Sequence, residues 1–149
     1  MEYSQVVELE ERLLELLRQE YSFYQSLYLL LDKQKDHLRF ERDQKLIDLY
    51  EEIEKAERRI SESEDKVAKL RSENRKIFNL AAASPEVKKL VTSIATLIKK
   101  NLTLIKENED FAKNKRRRIE EELEQVKKMY NLMAYKKRES KAQIIDGRS

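Results

Sequence analysis

The chain has no cysteine and no tryptophan, and it has one glycine (Gly147), one proline (Pro85) and one histidine (His37) in 149 residues. Each scarcity excludes a class. A β-rich domain needs turn residues every 8–12 positions, and they are missing. Without cysteine there is no thiolate metal site, disulfide framework or cysteine nucleophile. A phosphate-cradling loop needs several clustered glycines. The longest uncharged run, residues 21–31, is 11 residues long, against the ~20 that span a bilayer. The opening Met1-Glu2-Tyr3 lacks the basic-then-apolar order of a signal peptide. Absent thiols also suit a reducing compartment. The expectation is a cytoplasmic protein with no membrane insertion.

Charge is what the chain has in abundance. Asp, Glu, Lys and Arg make up 41% of it, yet the net charge is only +3. A composition rich in Ala, Glu, Lys, Leu and Arg with heptad-like spacing marks long helices. Residues 1–84 carry a net −4 and residues 85–149 a net +7. The basic excess peaks at Lys113, Lys115, Arg116, Arg117 and Arg118, and again at Lys136, Lys137 and Arg138. Such runs can mark a nucleic-acid surface. Here Glu120, Glu121, Glu122 and Glu124 follow within one or two turns and pair with the run at i,i+4. That favours a self-neutralised helix face over a nucleic-acid site.

Apolar spacing gives three principal helices. In the first, Val6, Leu9, Leu13, Leu16, Phe23, Leu27 and Leu30 merge with Leu14, Leu17, Tyr21, Tyr24, Tyr28 and Leu31 into a face too wide for a two-helix seam. This helix is expected over 4–36, with its aromatics in the core. Asp43 suits an N-cap. The second helix, 43–80, carries a narrow seam through Leu46, Leu49, Ile53, Ala56, Ile60, Ser63, Val67, Leu70, Asn74 and Ile77. Ser84-Pro85 reads as N-cap and first helical residue. The third helix is expected over 85–138, with one stripe through Val87, Leu90, Val91, Ile94, Leu97, Ile98, Leu104, Ile105 and Phe111, Asn101 and Asn108 on the same face, and another through Ala112, Ile119, Leu123, Val126, Tyr130 and Met133. The stripe slips by one residue across 113–118. The expected fold is all-α: an elongated antiparallel bundle of three long helices over 1–138, with a mobile C-terminal tail over 139–149.

Little in the chain promises catalysis. A Ser-His-Asp triad would have to be built on His37, which lies at an expected helix end between Lys35 and Arg39. A di-iron bundle needs two Glu-x-x-His motifs, and Gln34 stands three before the single histidine. Acidic pairs such as Glu51/Glu52 lie on charged faces without the buried setting that separates acid from base. The chain reads as a binding protein, not an enzyme, with no cofactor and no metal site. The candidate surface is the apolar face of the third helix: Ile94, Leu97, Ile98, Asn101, Ile105 and Asn108. Amides in an apolar seam fix register within a bundle, or they hydrogen-bond the backbone of a client helix lying in a groove.

The order of segments resembles the FlgN-type flagellar export chaperones. The likeness runs through Leu13-Leu14-Glu15-Leu16-Leu17, Glu20-Tyr21 and Leu27-Tyr28-Leu29-Leu30-Leu31. It continues through a charged break over 33–42, Asp43-x-x-Leu46, Leu104-Ile105-x-x-Asn108, and a tail with Tyr135 and Ile144-Ile145-Asp146-Gly147-Arg148-Ser149. The resemblance implies a cytoplasmic chaperone that binds the C-terminal segments of hook–filament junction proteins. It would prevent their premature assembly and deliver them to the type III export gate. A tail tyrosine would contact the gate's cytoplasmic domain: Tyr135, or alternatively Tyr130. The competing expectation is a structural coiled-coil adaptor that self-associates through the third helix.

Overall fold

The computed structural model describes the backbone of residues 2–146 and the side-chain surroundings of residues 3–142. It is all-α, with no strand among the described residues. Among the described residues four helices form instead of three: α1 (Glu2–Arg39), α2 (Asp43–Glu73), α3 (Phe78–Ala82) and α4 (Pro85–Asp146). No helix among the described residues is long and apolar enough to cross a membrane. The chain divides into two compact units, Met1–Glu109 and Asp110–Ser149.

In the first unit, α1 closes with two backbone bonds. Arg42 N–H donates to His37 O at 2.9 Å and Glu41 N–H to Leu38 O at 3.4 Å. This is the Schellman pattern. Its left-handed position is taken by Glu41, at φ 54°, where glycine would avoid the Cβ penalty. The Arg42 guanidinium lies 5.2 Å from the centre of the Phe40 ring. Helix α2 begins at once, with Arg42 as a cap that makes no side-chain bond. Asp43 is therefore the first helical residue and not the N-cap, and its charge faces the positive end of the helix dipole.

So short a connection turns α2 back against α1, to which it packs. The buried face of α2 is Leu49, Ile53, Ala56, Ile60, Ser63 and Leu70, all in the expected seam; Leu46 and Val67 are half-buried, and Asn74 and Ile77 lie past the end of the helix. The core of α1 is Leu9, Leu13, Leu14, Leu17, Tyr24, Leu27 and Leu31, with Tyr21, Phe23 and Tyr28 half-buried against it. Helix α2 stops earlier than expected. Asn74 turns its Nδ2 to Leu70 O at 2.9 Å, and its own carbonyl accepts from Phe78 N–H at 2.8 Å. An asparagine that bonds local backbone competes with the helix in this way. The short α3 follows and packs on α1, with Ala81 fully buried; the small methyl permits the close approach.

Ser84 caps α4 as expected. Its Oγ accepts from Val87 N–H at 3.2 Å, and Pro85 opens the helix. Within the first unit α4 runs alongside α1 in the same direction. Asn101 bonds to Tyr24 and Asn108 to Leu31, both across 77 residues. Within the first unit α2 thus runs antiparallel to α1 and α4 parallel to it, and the short α3 stands between α2 and α4 where only three long helices were expected. Helix α4 continues past 138 to Asp146, because Glu139, Lys141, Ala142 and Gln143 sustain a helix and no breaker precedes Gly147. Of the expected tail, residues 147–149 lie outside the described residues.

Candidate protein-binding surface

In the first unit every seventh residue of α4 forms one buried column: Val87, Ile94, Asn101 and Asn108, each 6% exposed or less. Leu97, Ile98 and Ile105 flank the column, half-buried against the core. The face expected to receive a client is therefore turned inward. Asn101 Nδ2 donates to Tyr24 O at 3.2 Å. Asn108 Nδ2 donates to Leu31 O at 3.0 Å and to Gln34 Oε1 at 2.9 Å. Both amides are thus bonded to α1, the internal-register alternative. An aspartate at Ile94 would enter a packed core instead of a groove.

A polar cluster lies between α1 and α2. The Tyr24 hydroxyl donates to Glu64 Oε1 at 2.6 Å. Burial, then the Glu64 hydrogen bond and charge, push the Tyr24 phenol well above its ordinary range. Glu20 is 7% exposed. Burial first, then the Glu64 charge, raise its carboxyl above the ordinary 4.5. An open groove of about 710 Å³ borders α2 and α3, with Glu64, Arg71, Arg75 and Phe78 in its wall. It holds none of the expected site residues. Among the described residues no group of three His, Cys, Asp or Glu side chains is placed to hold a metal.

The second unit is different in kind. It consists of the later stretch of α4, and its apolar stripe is bare. Ile119 is 46% exposed, Leu123 63%, Val126 62%, Tyr130 73% and Met133 66%. Tyr130, a member of the stripe and the alternative gate contact, is the most exposed of the five. Tyr135, at 65%, is exposed as expected. The column buried in the first unit passes through Lys115 and Glu122 here, so it cannot continue as an apolar seam. The slip of one residue across 113–118 marks this change, and it was the sequence signal for a second surface. The basic run beside it is partly neutralised, Arg116 Nε meeting Glu120 Oε1 at 3.1 Å, and within the stripe's own turns Lys128 Nζ lies 3.9 Å from Glu124 Oε1.

No protein-family model, no curated protein and no solved structure matches this chain. The bare stripe is the feature from which a function has to be argued. An amphipathic helix takes most of its stability from packing its apolar face. Five apolar residues at alternating steps of four and three are exposed together on one face of the helix.

Proposed function

We propose that this chain is a non-enzymatic helix-binding protein of the flagellar export-chaperone kind. Its client is the amphipathic C-terminal segment of a hook–filament junction protein, which it keeps unassembled in the cytoplasm and carries to the export gate. One observation supports this most: the exposed stripe Ile119, Leu123, Val126, Tyr130 and Met133 on α4. It moves the client seat away from Ile94–Asn108, whose face is occupied by α1. Tyr135, exposed and off the stripe, is the proposed gate contact; an aromatic ring offers large contact area at low entropic cost.

The test is a titration of the full chain with a junction-protein C-terminal peptide. Leu123→Asp would bring a carboxylate out of water into an apolar contact, and it should weaken binding at least tenfold. Because the stripe lies outside the packed first unit, the variant keeps its fold. Undiminished affinity in a folded variant removes the stripe from the mechanism.

A second reading is favoured by the charges beside the stripe. Glu120 and Glu122 on one turn and Lys127 on the next are arranged as in helices that pair with their own copies. In that reading the chain is a structural adaptor that self-associates through α4. Sedimentation of the chain alone separates the two: a client carrier takes up its peptide one to one, and an adaptor assembles without it.

A further inference from the structure

We infer that α4 pairs, parallel and in register, with the same stretch of a second copy of this chain along Ile119–Met133. The inference rests on the self-association reading and adds to it the orientation, the register and the residues that set both.

The stripe follows a heptad. Ile119, Val126 and Met133 occupy one core position (d), and Leu123 and Tyr130 the other (a). All five are exposed within their own chain. A parallel, in-register pair stacks each residue on its own copy and gives five apolar layers. Antiparallel pairing cannot fill five. It sets either Met133 against Arg116 or Ile119 against Lys137, and so puts a cation into the seam. The seam is bounded by those same charges, since Arg116 and Lys137 hold the core positions just before and just after it.

The flanking charges agree with the parallel arrangement. In a parallel pair a g residue of one helix meets the e residue five positions on in its partner. Glu122 then meets Lys127, and Lys115 meets Glu120, each contact occurring twice by symmetry. The next such pair, Met129 and Ala134, is uncharged, and the one after it, Lys136 and Lys141, is of like charge and lies beyond Met133, where the apolar layers have ended. The first unit explains why this stretch is available. There α4 packs through the Val87–Asn108 column, and the change of column leaves the new seam without an intramolecular partner.

The absence of cysteine makes the test direct. Single cysteines are placed in the full chain at Ile119, Val126 and Met133, and, as controls on the outer face, at Glu121 and Lys128. Under mild oxidation, all three seam variants should form disulfide-linked pairs and the two controls should not. By sedimentation, Glu122→Lys and Lys127→Glu should each weaken association about tenfold, and the double variant should restore it. A trimer or tetramer, toward which leucine at a and isoleucine at d incline, supports the inference if the cysteine pattern is the same. Association with crosslinks at Val126→Cys but not at Ile119→Cys or Met133→Cys overturns the parallel register and leaves the self-association reading standing. So does insensitivity to Glu122→Lys, the result expected of the antiparallel register that faces that residue toward Met129. A chain that stays monomeric at every concentration overturns both.

Discussion

Replacing Asn101 by aspartate keeps the shape of the side chain and removes its donor. The site is 3% exposed. The amide's Nδ2 lies 3.2 Å from Tyr24 O, and its Oδ1 has no partner. An ionised aspartate only accepts hydrogen bonds, so it would set an oxygen against a carbonyl oxygen. The lost bond costs about 1 kcal/mol. Removing an uncompensated carboxylate from water raises the total to about 3–5 kcal/mol, a large part of the ~5–15 kcal/mol that holds a domain together. Burial raises the folded-state pKa of the new carboxyl above its unfolded value of about 3.9. The penalty is therefore fully present above the folded pKa. It shrinks as pH falls toward the unfolded pKa, because a protonated acid can donate to Tyr24 O again. Urea unfolding of parent and variant at about pH 8, 6 and 4.5 reads this directly. Asn108→Asp should be milder, since Gln34, now an acceptor at 2.9 Å, can turn its own amide to donate. Asn101→Leu should lie close to the parent. Equal midpoints at pH 8 for parent and Asn101→Asp, or a gap that acid does not narrow, would refute the seating of the amide on α1.

The Glu20 carboxyl titrates above 4.5 in the folded chain. The parent therefore loses stability as pH rises from the unfolded pKa through the folded one. Glu20→Gln should melt higher at neutral pH, with the advantage gone below about pH 4, and thermal melts across that window check the sign. Leu13→Ala, at a site 2% exposed, should cost about 2–5 kcal/mol, whereas Leu123→Ala should change the unfolding of the first unit by less than about 0.5 kcal/mol; urea titration at low protein concentration compares them. Tyr135→Ala should leave stability and client uptake intact while weakening contact with the export gate's cytoplasmic domain, measured by calorimetric titration. Unchanged gate affinity would take Tyr135 out of the proposed mechanism.

Helix type and core were legible because they are carried by spacing. The wide stripe of α1, the narrow seam of α2 and the Ser84-Pro85 start of α4 all appear where the residues place them. The break at α3 was not legible, because Asn74 interrupts α2 by bonding local backbone with no glycine or proline to announce it. The amides Asn101 and Asn108 were recognisable as special. Whether they faced a client or the chain itself depended on contacts with residues 77 positions away, which periodicity does not encode. The second surface was half legible: the slip of the stripe was visible, but a helix pattern says that a face is apolar and not whether anything covers it.

The distances along the chain also imply an order of assembly. The α1–α2 pair closes over a three-residue connection, and Tyr24 reaches Glu64 across 40 residues. The two α4 amides reach α1 across 77. Bringing more distant segments together costs more chain entropy and slows folding. The α1–α2 hairpin is therefore expected to form in the rate-limiting step, with α4 docking after it as a latch. A latch of this kind governs how quickly the structure opens, with little influence on how quickly it forms. Asn101→Asp at neutral pH should accordingly accelerate unfolding by nearly the whole of its equilibrium penalty and leave the refolding rate almost unchanged. Ile53→Ala, within the hairpin, should slow refolding. Stopped-flow chevrons of the two variants would reveal the reverse order if refolding slowed in the first and not in the second.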